Sequence, residues 1–409
     1  MIYIHVPFCR SFCTYCGFYS EICSRRDPQQ VQNRIMEDYV DAILDEIASR
    51  REEIAAARGS DPAKPGAAAL QAPDTLYIGG GTPSVLAVPM LERIVRALGP
   101  ATYGEFTVEV NPDDVAAGGA SYAAALRALG VNRISMGVQS FDDDVLRWMN
   151  RRHNAAGARE AFRLLRSAGF DNVSIDLIFG LSQLSDELWE RTVGEALALR
   201  PEHISAYQLS VEPDSVLAEL VASGRYAEAS DERCRRQYDT LCRLLAAAGY
   251  VHYEVSNWAL PGREAVHNSA YWCRVPYVGL GPSAHSLSFP STAGTASPAA
   301  VPGVRSWNGS ELARRGADGC LLRWHAEQEI LSGREAAEEA IMLALRTARG
   351  LPLAQLRALS PSAPVDDLLA AGALRLIPVA AASDGPWVRI PEDRFFVSDD
   401  IISRLFPEG

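Results

Sequence analysis

Six short apolar runs, each interpreted as a strand, alternate with helical patterns over the first half of the chain. The runs are rich in β-branched and aromatic residues and lie at residues 3–6, 75–78, 106–110, 133–137, 173–179 and 203–209. Amphipathic stretches between them occupy residues 36–51, 90–98, 123–129, 155–168 and 188–199. This alternation predicts an α/β fold with parallel strands buried on both faces. Ligands of such sheets bind at the carboxyl ends of the strands.

The sequence changes character towards its C-terminal part. Residues 289–309 are rich in Pro, Ser, Ala and Gly, which is typical of a linker. Helical patterns at 334–349, 353–359 and 365–371, followed by strand patterns at 374–377 and 387–390, predict a small α+β, winged-helix-like domain. We therefore expect three parts: residues 1–288 with an extension at about 250–288, an irregular segment at 289–333, and a C-terminal domain at 334–409.

Composition and charge exclude several classes of protein. The 409 residues are 48% hydrophobic, enough for a large core, and the net charge is −12. Nucleic-acid and anionic-membrane surfaces need clustered Lys and Arg, so we expect neither partner, and a packing role for the C-terminal domain. No run of about 18 apolar residues is present, and the first residues lack a signal-peptide plan. We expect a cytoplasmic protein without membrane insertion.

Three of the eight cysteines, Cys9, Cys13 and Cys16, lie in one loop directly after the first strand. In a reducing compartment such clustering indicates metal ligation rather than disulfides. Three thiolates on a [4Fe-4S] cubane leave one iron open, which S-adenosylmethionine (SAM) can chelate. The alternative, a structural zinc site, needs four ligands, and no second cysteine pair lies nearby. Tyr15 either packs near the adenine of SAM or covers the core.

Other candidate site residues follow the later strands. The glycines at 79–81, followed by Thr82, let a ligand approach the backbone, although a tight turn would also use them. Glu109 ends the third strand, while Gln139 and Arg151 follow the fourth. Each of the three either binds a ligand or is an ordinary solvated or ion-paired side chain. Asp176 is a charge within an apolar strand, which favours a polar cavity there.

Taken as an ordered set, these segments resemble the radical-SAM family of oxygen-independent coproporphyrinogen III oxidases and their relatives, the HemW-type heme chaperones. The resemblance covers residues 3 to about 286, with a weaker echo in the end domain. Its parts are Tyr-Ile-His-Val-Pro-Phe-Cys at 3–9, Gly-Gly-Gly-Thr-Pro-Ser at 79–84, Glu-Val-Asn-Pro at 109–112, Gly-Val-Gln-Ser-Phe at 137–141, Asn-Arg at 150–151 and Asp-Leu-Ile-Phe-Gly-Leu at 176–181.

The resemblance implies a partial (β/α)6 radical-SAM barrel and assigns roles by position. Cys9, Cys13 and Cys16 would hold the cluster. The cluster-bound SAM would lie against Tyr3, Gly80 and Glu109, with Gly81 and Thr82 beside them. In the oxidase branch, the positions of Tyr15, Gln139, Arg151 and Asp176 line a pocket for a second SAM.

Two features distinguish the branches of this family. The oxidases resemble C-x3-C-x2-C-x-C, whereas this chain has Phe18 at the fourth cysteine position. The segment 267–272, His-Asn-Ser-Ala-Tyr-Trp, looks like the H-N-x-x-Y-W heme-binding motif of HemW-type proteins. His267 would then ligate heme iron, beside Asn268, with Tyr271 and Trp272 packed on the macrocycle. Without the family, a histidine beside aromatics is usually a packing residue.

The resemblance thus implies a heme chaperone that binds a [4Fe-4S] cluster, SAM and heme, and delivers heme to apoproteins such as respiratory cytochromes. Whether it is also an enzyme stays open. The alternatives are an oxygen-independent coproporphyrinogen III oxidase, which forms protoporphyrinogen IX by radical decarboxylation, and a zinc-stabilised scaffold without redox chemistry.

Overall fold

A partial parallel barrel forms the centre of the protein. The structure, a computed structural model, describes residues 1–22, 29–58, 74–289, 301–316, 318–377 and 385–407. Six parallel strands stand in chain order: β1 Ile2–Val6, β2 Thr75–Gly80, β3 Glu105–Val110, β4 Arg133–Gln139, β5 Val173–Phe179 and β6 His203–Gln208. Each lies close to its predicted bounds, and the predicted α/β class is confirmed.

Helices connect the strands and cover the outside of the sheet. They span Gln29–Ser49, Arg51–Ala57, Val88–Ala97, Pro112–Ala128, Asp143–Trp148, Ala155–Ser167, Asp186–Leu199, Val216–Ala222 and Asp231–Ala247. Polar side chains begin several of them: Ser185, for example, accepts a hydrogen bond from the backbone N–H of Leu188. The helix predicted at 123–129 begins much earlier, at Pro112, and is kinked at Gly119, where φ is 61°. Glycine tolerates this conformation, so the chain turns there without a side-chain clash.

Side chains alternate between an apolar outer face and a polar inner face of the sheet. On β4, Ile134 and Met136 belong to the buried apolar core, whereas Arg133 and Ser135 line an internal cavity. The same alternation places Asp176 of β5 in the cavity wall, next to core residues on either side. The strands are therefore buried on both faces as predicted, but the inner face is polar rather than apolar.

The segment that follows the barrel extends the same sheet. Val278–Leu280 pairs with β1 in parallel, while Asn257–Ala259 pairs antiparallel with β6 and with Val251–Glu254. The helix Val266–Trp272 lies between these additions and contacts β2. Within the described residues, the sheet therefore has nine strands.

The stretch expected to be irregular, 289–333, contains strands, which differs from our expectation. His285–Ser288, Val304–Asn308 and Ala326–Ile330 form an antiparallel sheet, and a short pair joins Arg314–Arg315 to Leu321–Leu322. Ala326–Ile330 is exposed along its whole length, so it carries no apolar alternation that sequence reasoning could detect. Residues 290–300 and 317 lie outside the described part of the chain.

The C-terminal part contains helices and a small antiparallel sheet. The helices are Gly333–Leu345, Leu353–Leu359, Val365–Ala370 and Ser398–Ser403, with a 3-10 helix at Glu392–Val397; the strands are Leu351–Pro352, Arg375–Ile377 and Trp387–Arg389. A capping box between Ser332 and Glu335 begins the first helix. The division into domains at residue 334 remains a proposal. Among the described residues, no helix is both long enough and apolar enough to cross a membrane.

Candidate cofactor site

A cavity of about 520 Å3 extends from residues 9–18, here called the cysteine loop, into the polar interior of the barrel. Most of the predicted site residues line it: Cys9, Cys13, Tyr15, Cys16, Gly80, Gly81, Thr82, Glu109, Gln139, Arg151, Asp176 and Asn268. Tyr3 lies outside that lining, with its hydroxyl 3.1 Å from Nδ1 of His5 and its ring 6.1 Å from that of Tyr77. The fold thus gathers residues from sequence positions more than two hundred apart into one site.

The cysteine loop is fixed to the C-terminal end of the helix Asp143–Trp148. The backbone N–H of Thr14 donates to the carbonyl of Met149 at 3.1 Å, and its hydroxyl donates to the carbonyl of Trp148 at 2.8 Å. The amide of Asn150 donates to the carbonyl of Phe12 at 2.6 Å, from a residue whose φ of 57° is left-handed. Sequence reasoning assigned Thr14 and Asn150 no role, because their function is to hold the loop rather than to present a reactive group.

The three thiols are partly buried and have few polar partners. Sγ of Cys9 lies 3.4 Å from the hydroxyl of Thr82, and Arg151 donates to Sγ of Cys13 at 3.3 Å. Burial raises the pKa of Cys9, and it raises the pKa of Cys16 to about 11. A metal centre must therefore displace protons from these thiols, as thiolate ligation requires.

Three thiols at one cavity supply the three ligands that a [4Fe-4S] cubane with one open iron takes. Among the described residues, no group of three His, Cys, Asp or Glu side chains is placed to hold one metal ion. A cubane does not need such convergence, since each thiolate binds a different iron. Structural zinc does need it, with four ligands on one ion. Cys23 lies outside the described residues.

Arg151 connects the cysteine loop to the strand ends. Besides Cys13, its guanidinium donates to Oδ1 of Asn111 and to the carbonyl of Gly137, both at 2.6 Å. Asn111 in turn donates to the hydroxyl of Thr82 at 3.1 Å. This chain of hydrogen bonds fixes the cavity wall before any ligand enters. Asn111 was not singled out from the sequence, although it directly precedes the Pro112 that begins a helix.

Glu109 is a partly buried carboxyl group held by neutral donors. The hydroxyl of Tyr77 donates to Oε1 at 2.7 Å, and the backbone N–H of Gly80 donates to Oε2 at 3.2 Å. Burial raises the pKa of Glu109 to about 7. Gly81 packs so closely on the first strand that a Cβ there would lie 2.9 Å from the carbonyl oxygen of Phe8. The backbone at residues 80–81 is thus available to a ligand, and Gly81 cannot be replaced by a bulkier residue.

Gln139 and Asp176 line the cavity on the neighbouring strands, β4 and β5. The hydroxyl of Ser135 donates to Asp176 at 3.1 Å, and burial raises the pKa of this carboxyl group. The pairing of β4 with β5 shifts register between Gly137 and Gln139, and Gln139 has a φ of 68°. This irregularity at the strand end bends the chain at a ligand-facing position, as bulges do near binding sites.

The helix Val266–Trp272 places His267 inside the protein. The imidazole is 1% exposed, with Nδ1 2.8 Å from the hydroxyl of Thr75 and Nε2 2.9 Å from that of Tyr271. Burial lowers the pKa of His267 to about 3, so the ring is neutral. Tyr271 and Trp272 are half-buried, and Asn268 reaches the cavity. In this arrangement the motif joins the helix to the barrel and does not expose the imidazole.

Comparison with known proteins gives a consistent result. The family model described as the radical SAM superfamily matches residues 3–196. The chain is 35% identical to the heme chaperone HemW of Bacillus subtilis (strain 168) over 288 residues, which is 69% of each chain. It is 33% identical to the HemW of Synechocystis sp. over 361 residues, covering 87% of this chain and 79% of the relative.

Among solved structures, coproporphyrinogen III oxidase (HemN) from Escherichia coli, described as a radical SAM enzyme, superposes with a TM-score of 0.69. The match covers 99% of this chain and 89% of the other, at 20% sequence identity. At that identity the likeness establishes the fold alone.

Proposed function

Since this chain belongs to the radical SAM superfamily, and within it to the family of the HemW heme chaperones, we propose that it binds a [4Fe-4S] cluster, SAM and heme, and delivers heme to apoproteins. The observation that carries the proposal is the cavity: the three cysteines, the polar strand ends and Asn268 of the heme-type motif all line it. A cytoplasmic location and respiratory cytochromes as recipients are part of the same proposal.

Cys9, Cys13 and Cys16 would hold the cluster, which together with SAM supplies one-electron chemistry when bound. Tyr3, Gly80 and Glu109, with Gly81 and Thr82, would position the cluster-bound SAM. Tyr77 holds the Glu109 carboxyl group in place by a hydrogen bond. The oxygens of Glu109, which lines the cavity, could accept further hydrogen bonds from hydroxyl groups of a ligand. Tyr15, Gln139, Arg151 and Asp176 would contact a second SAM if one binds.

Heme would be bound through His267, Asn268, Tyr271 and Trp272. Iron ligation by His267 requires one imidazole nitrogen to leave its hydroxyl partner, either Thr75 or Tyr271. It also requires the ring to become accessible, since it is 1% exposed. Heme binding at His267 is therefore coupled to movement of the helix that carries it, and heme release to its return.

Anaerobic reconstitution tests the proposal in one preparation. We expect about four irons and four sulfides per chain, the composition of the cubane, and uptake of heme. The variant His267→Ala should retain less heme while its iron and sulfide content stays that of the wild type, because the cluster cysteines are untouched. Heme retention equal to that of the wild type would remove His267 as a ligand.

The same preparation tests the enzyme alternative. Phe18 stands where the oxidases have a fourth cysteine, so we expect no protoporphyrinogen IX from coproporphyrinogen III in the presence of SAM and a reductant. Formation of that product would replace the chaperone assignment with the oxidase. Zinc in place of iron and sulfide would favour the scaffold alternative.

A further inference from the structure

The aromatic side chains that are most exposed to solvent are gathered at one place. Among the described residues, Phe12, Phe18 and Tyr207 are 48%, 73% and 44% exposed, and all three line the cofactor cavity. The other large exposed apolar side chains of the described chain are aliphatic. Exposed apolar surface that is concentrated rather than scattered marks a binding site. Three aromatic faces at one cavity indicate a ligand with a broad apolar surface.

The backbone of the cysteine loop keeps two of these rings at the cavity. The carbonyl of Phe12 accepts a hydrogen bond from Asn150 at 2.6 Å. Gly17, just before Phe18, fits so closely against Glu212 that a Cβ would lie 2.6 Å from its Cγ. The loop is therefore anchored beside both phenylalanines.

Two arginines, each paired with an aspartate, line the same cavity as the phenylalanines. Arg10 contacts Asp114 through Nε at 2.8 Å, and its side chain is 40% exposed. Arg152 lies 3.5 Å from Asp113, with a side chain that is 29% exposed. Each guanidinium has five N–H donors and can accept a second carboxylate beside its present partner. Carboxylates beside a flat apolar ring system are the chemistry of a porphyrin with propionates.

We propose that a porphyrin macrocycle docks at the cavity against Phe12 and Phe18, with its propionates directed to Arg10 and Arg152. This inference rests on the proposed heme-binding function and adds a docking site distinct from His267. A porphyrin arriving from solvent meets these exposed rings, whereas the imidazole is 1% exposed. Docking by the macrocycle face does not involve the iron, so metal-free protoporphyrin IX binds the same site.

The test measures the affinities of heme and of protoporphyrin IX for the reconstituted protein by absorbance titration. The double variant Phe12→Ala, Phe18→Ala should weaken the binding of both porphyrins about tenfold or more, since aromatic anchors dominate such contacts. Ile330→Ala is the matched control: Ile330 is 74% exposed but lies outside the cavity lining, so both affinities should stay unchanged. His267→Ala should weaken the binding of heme and leave that of protoporphyrin IX unchanged.

The outcomes separate this inference from the function on which it rests. Wild-type protein that binds neither porphyrin would overturn the heme proposal and this inference together. Binding of heme without protoporphyrin IX, or affinities for both that the double variant leaves unchanged, would overturn the docking site alone. A double variant that loses affinity for SAM and not for porphyrins would also overturn it. If the double variant retains less iron than the wild type, the single variant Phe18→Ala decides, with the same two porphyrins and an expected loss of about threefold or more.

Discussion

Replacing Glu105 with Gln tests whether the barrel holds the helix Val266–Trp272 in place. The carboxylate of Glu105, at the start of β3, accepts hydrogen bonds from the backbone N–H of Val266 at 2.8 Å and of His267 at 2.9 Å. Glu105 is 3% exposed, and the buried Nε of Arg133 lies 4.0 Å away, with no hydrogen-bond partner in the described part of the chain. The Glu105 carboxylate thus accepts hydrogen bonds from the first turn of the helix and is also the counter-charge that lies close to the buried guanidinium of Arg133.

The expected loss of stability follows from these contacts. A buried hydrogen bond to a charged group contributes about 1.5–3 kcal/mol, and glutamine keeps only one acceptor oxygen, so one of the two backbone N–H groups loses its partner. Breaking a buried ion pair costs about 3–5 kcal/mol, although the pair with Arg133 is long. Because both effects come from the same carboxylate, they do not add, and we expect a loss of about 3 kcal/mol in the free energy of unfolding.

Urea unfolding of the wild type and of Glu105→Gln measures this difference, and hydrogen exchange locates it. We expect the amides of residues 266–272 to exchange faster in the variant. Glu329→Gln is the control, since Glu329 is about half exposed, lies 3.3 Å from Arg305, and should lose less than about 1 kcal/mol. A loss in Glu105→Gln no larger than in this control, with unchanged exchange of the helix, would refute the reasoning.

Two further predictions concern a buried acid and a tight glycine. Burial raises the pKa of Glu254 from 4.5 to about 7. The stability that the protonated carboxyl group contributes is therefore complete below about pH 4.5 and is lost as the pH rises through 7. At about 1.36 kcal/mol per unit, the wild type loses up to about 3 kcal/mol between pH 4.5 and pH 8, and urea unfolding of Glu254→Gln should lack that part of the pH dependence. Gly81→Ala should lower the melting temperature and the affinity for SAM, because a Cβ would lie 2.9 Å from the carbonyl oxygen of Phe8. Gly194→Ala, in a helix with nothing within 4 Å of a Cβ, should be neutral or stabilising by up to about 1 kcal/mol; equal losses in the two variants would contradict this explanation.

The strands of the barrel were predictable because burial on both faces leaves a signal in the sequence itself. β5 has its predicted bounds, Val173–Phe179, since β-branched and aromatic residues dominate it. The antiparallel strand Ala326–Ile330 was not predictable, because it is exposed on every residue and is defined by its pairing with Val304–Asn308. The start of the helix Pro112–Ala128 was not predictable for a related reason: the small residues of 112–122 carry little periodic pattern of apolar side chains.

The sequence predicted the groups of the candidate site that face a ligand, but not the groups that hold them in position. Cys9 and Asp176 stand out because thiols and charges are unusual where they occur. Thr14 and Asn111 act through hydrogen bonds to other parts of the protein, and nothing in their local sequence shows the partner. For His267 the sequence supplied the residue but not its burial, which depends on Thr75, almost two hundred positions earlier.

The charge of the barrel interior indicates where each proposed ligand belongs. Glu105, Glu109 and Asp176 face or adjoin the interior beside the buried guanidinium of Arg133, while Arg151 lies at the strand ends next to Cys13. Burial raises the pKa of both Glu109 and Asp176, which means that their surroundings disfavour the ionised forms. A cationic ligand reverses this penalty, and SAM carries a sulfonium and an ammonium group. A porphyrin carries propionates, for which these carboxyl groups offer no counter-charge. We therefore expect SAM to occupy the interior and the porphyrin to remain at the aromatic residues of the cysteine loop, so that the two ligands can be bound at once.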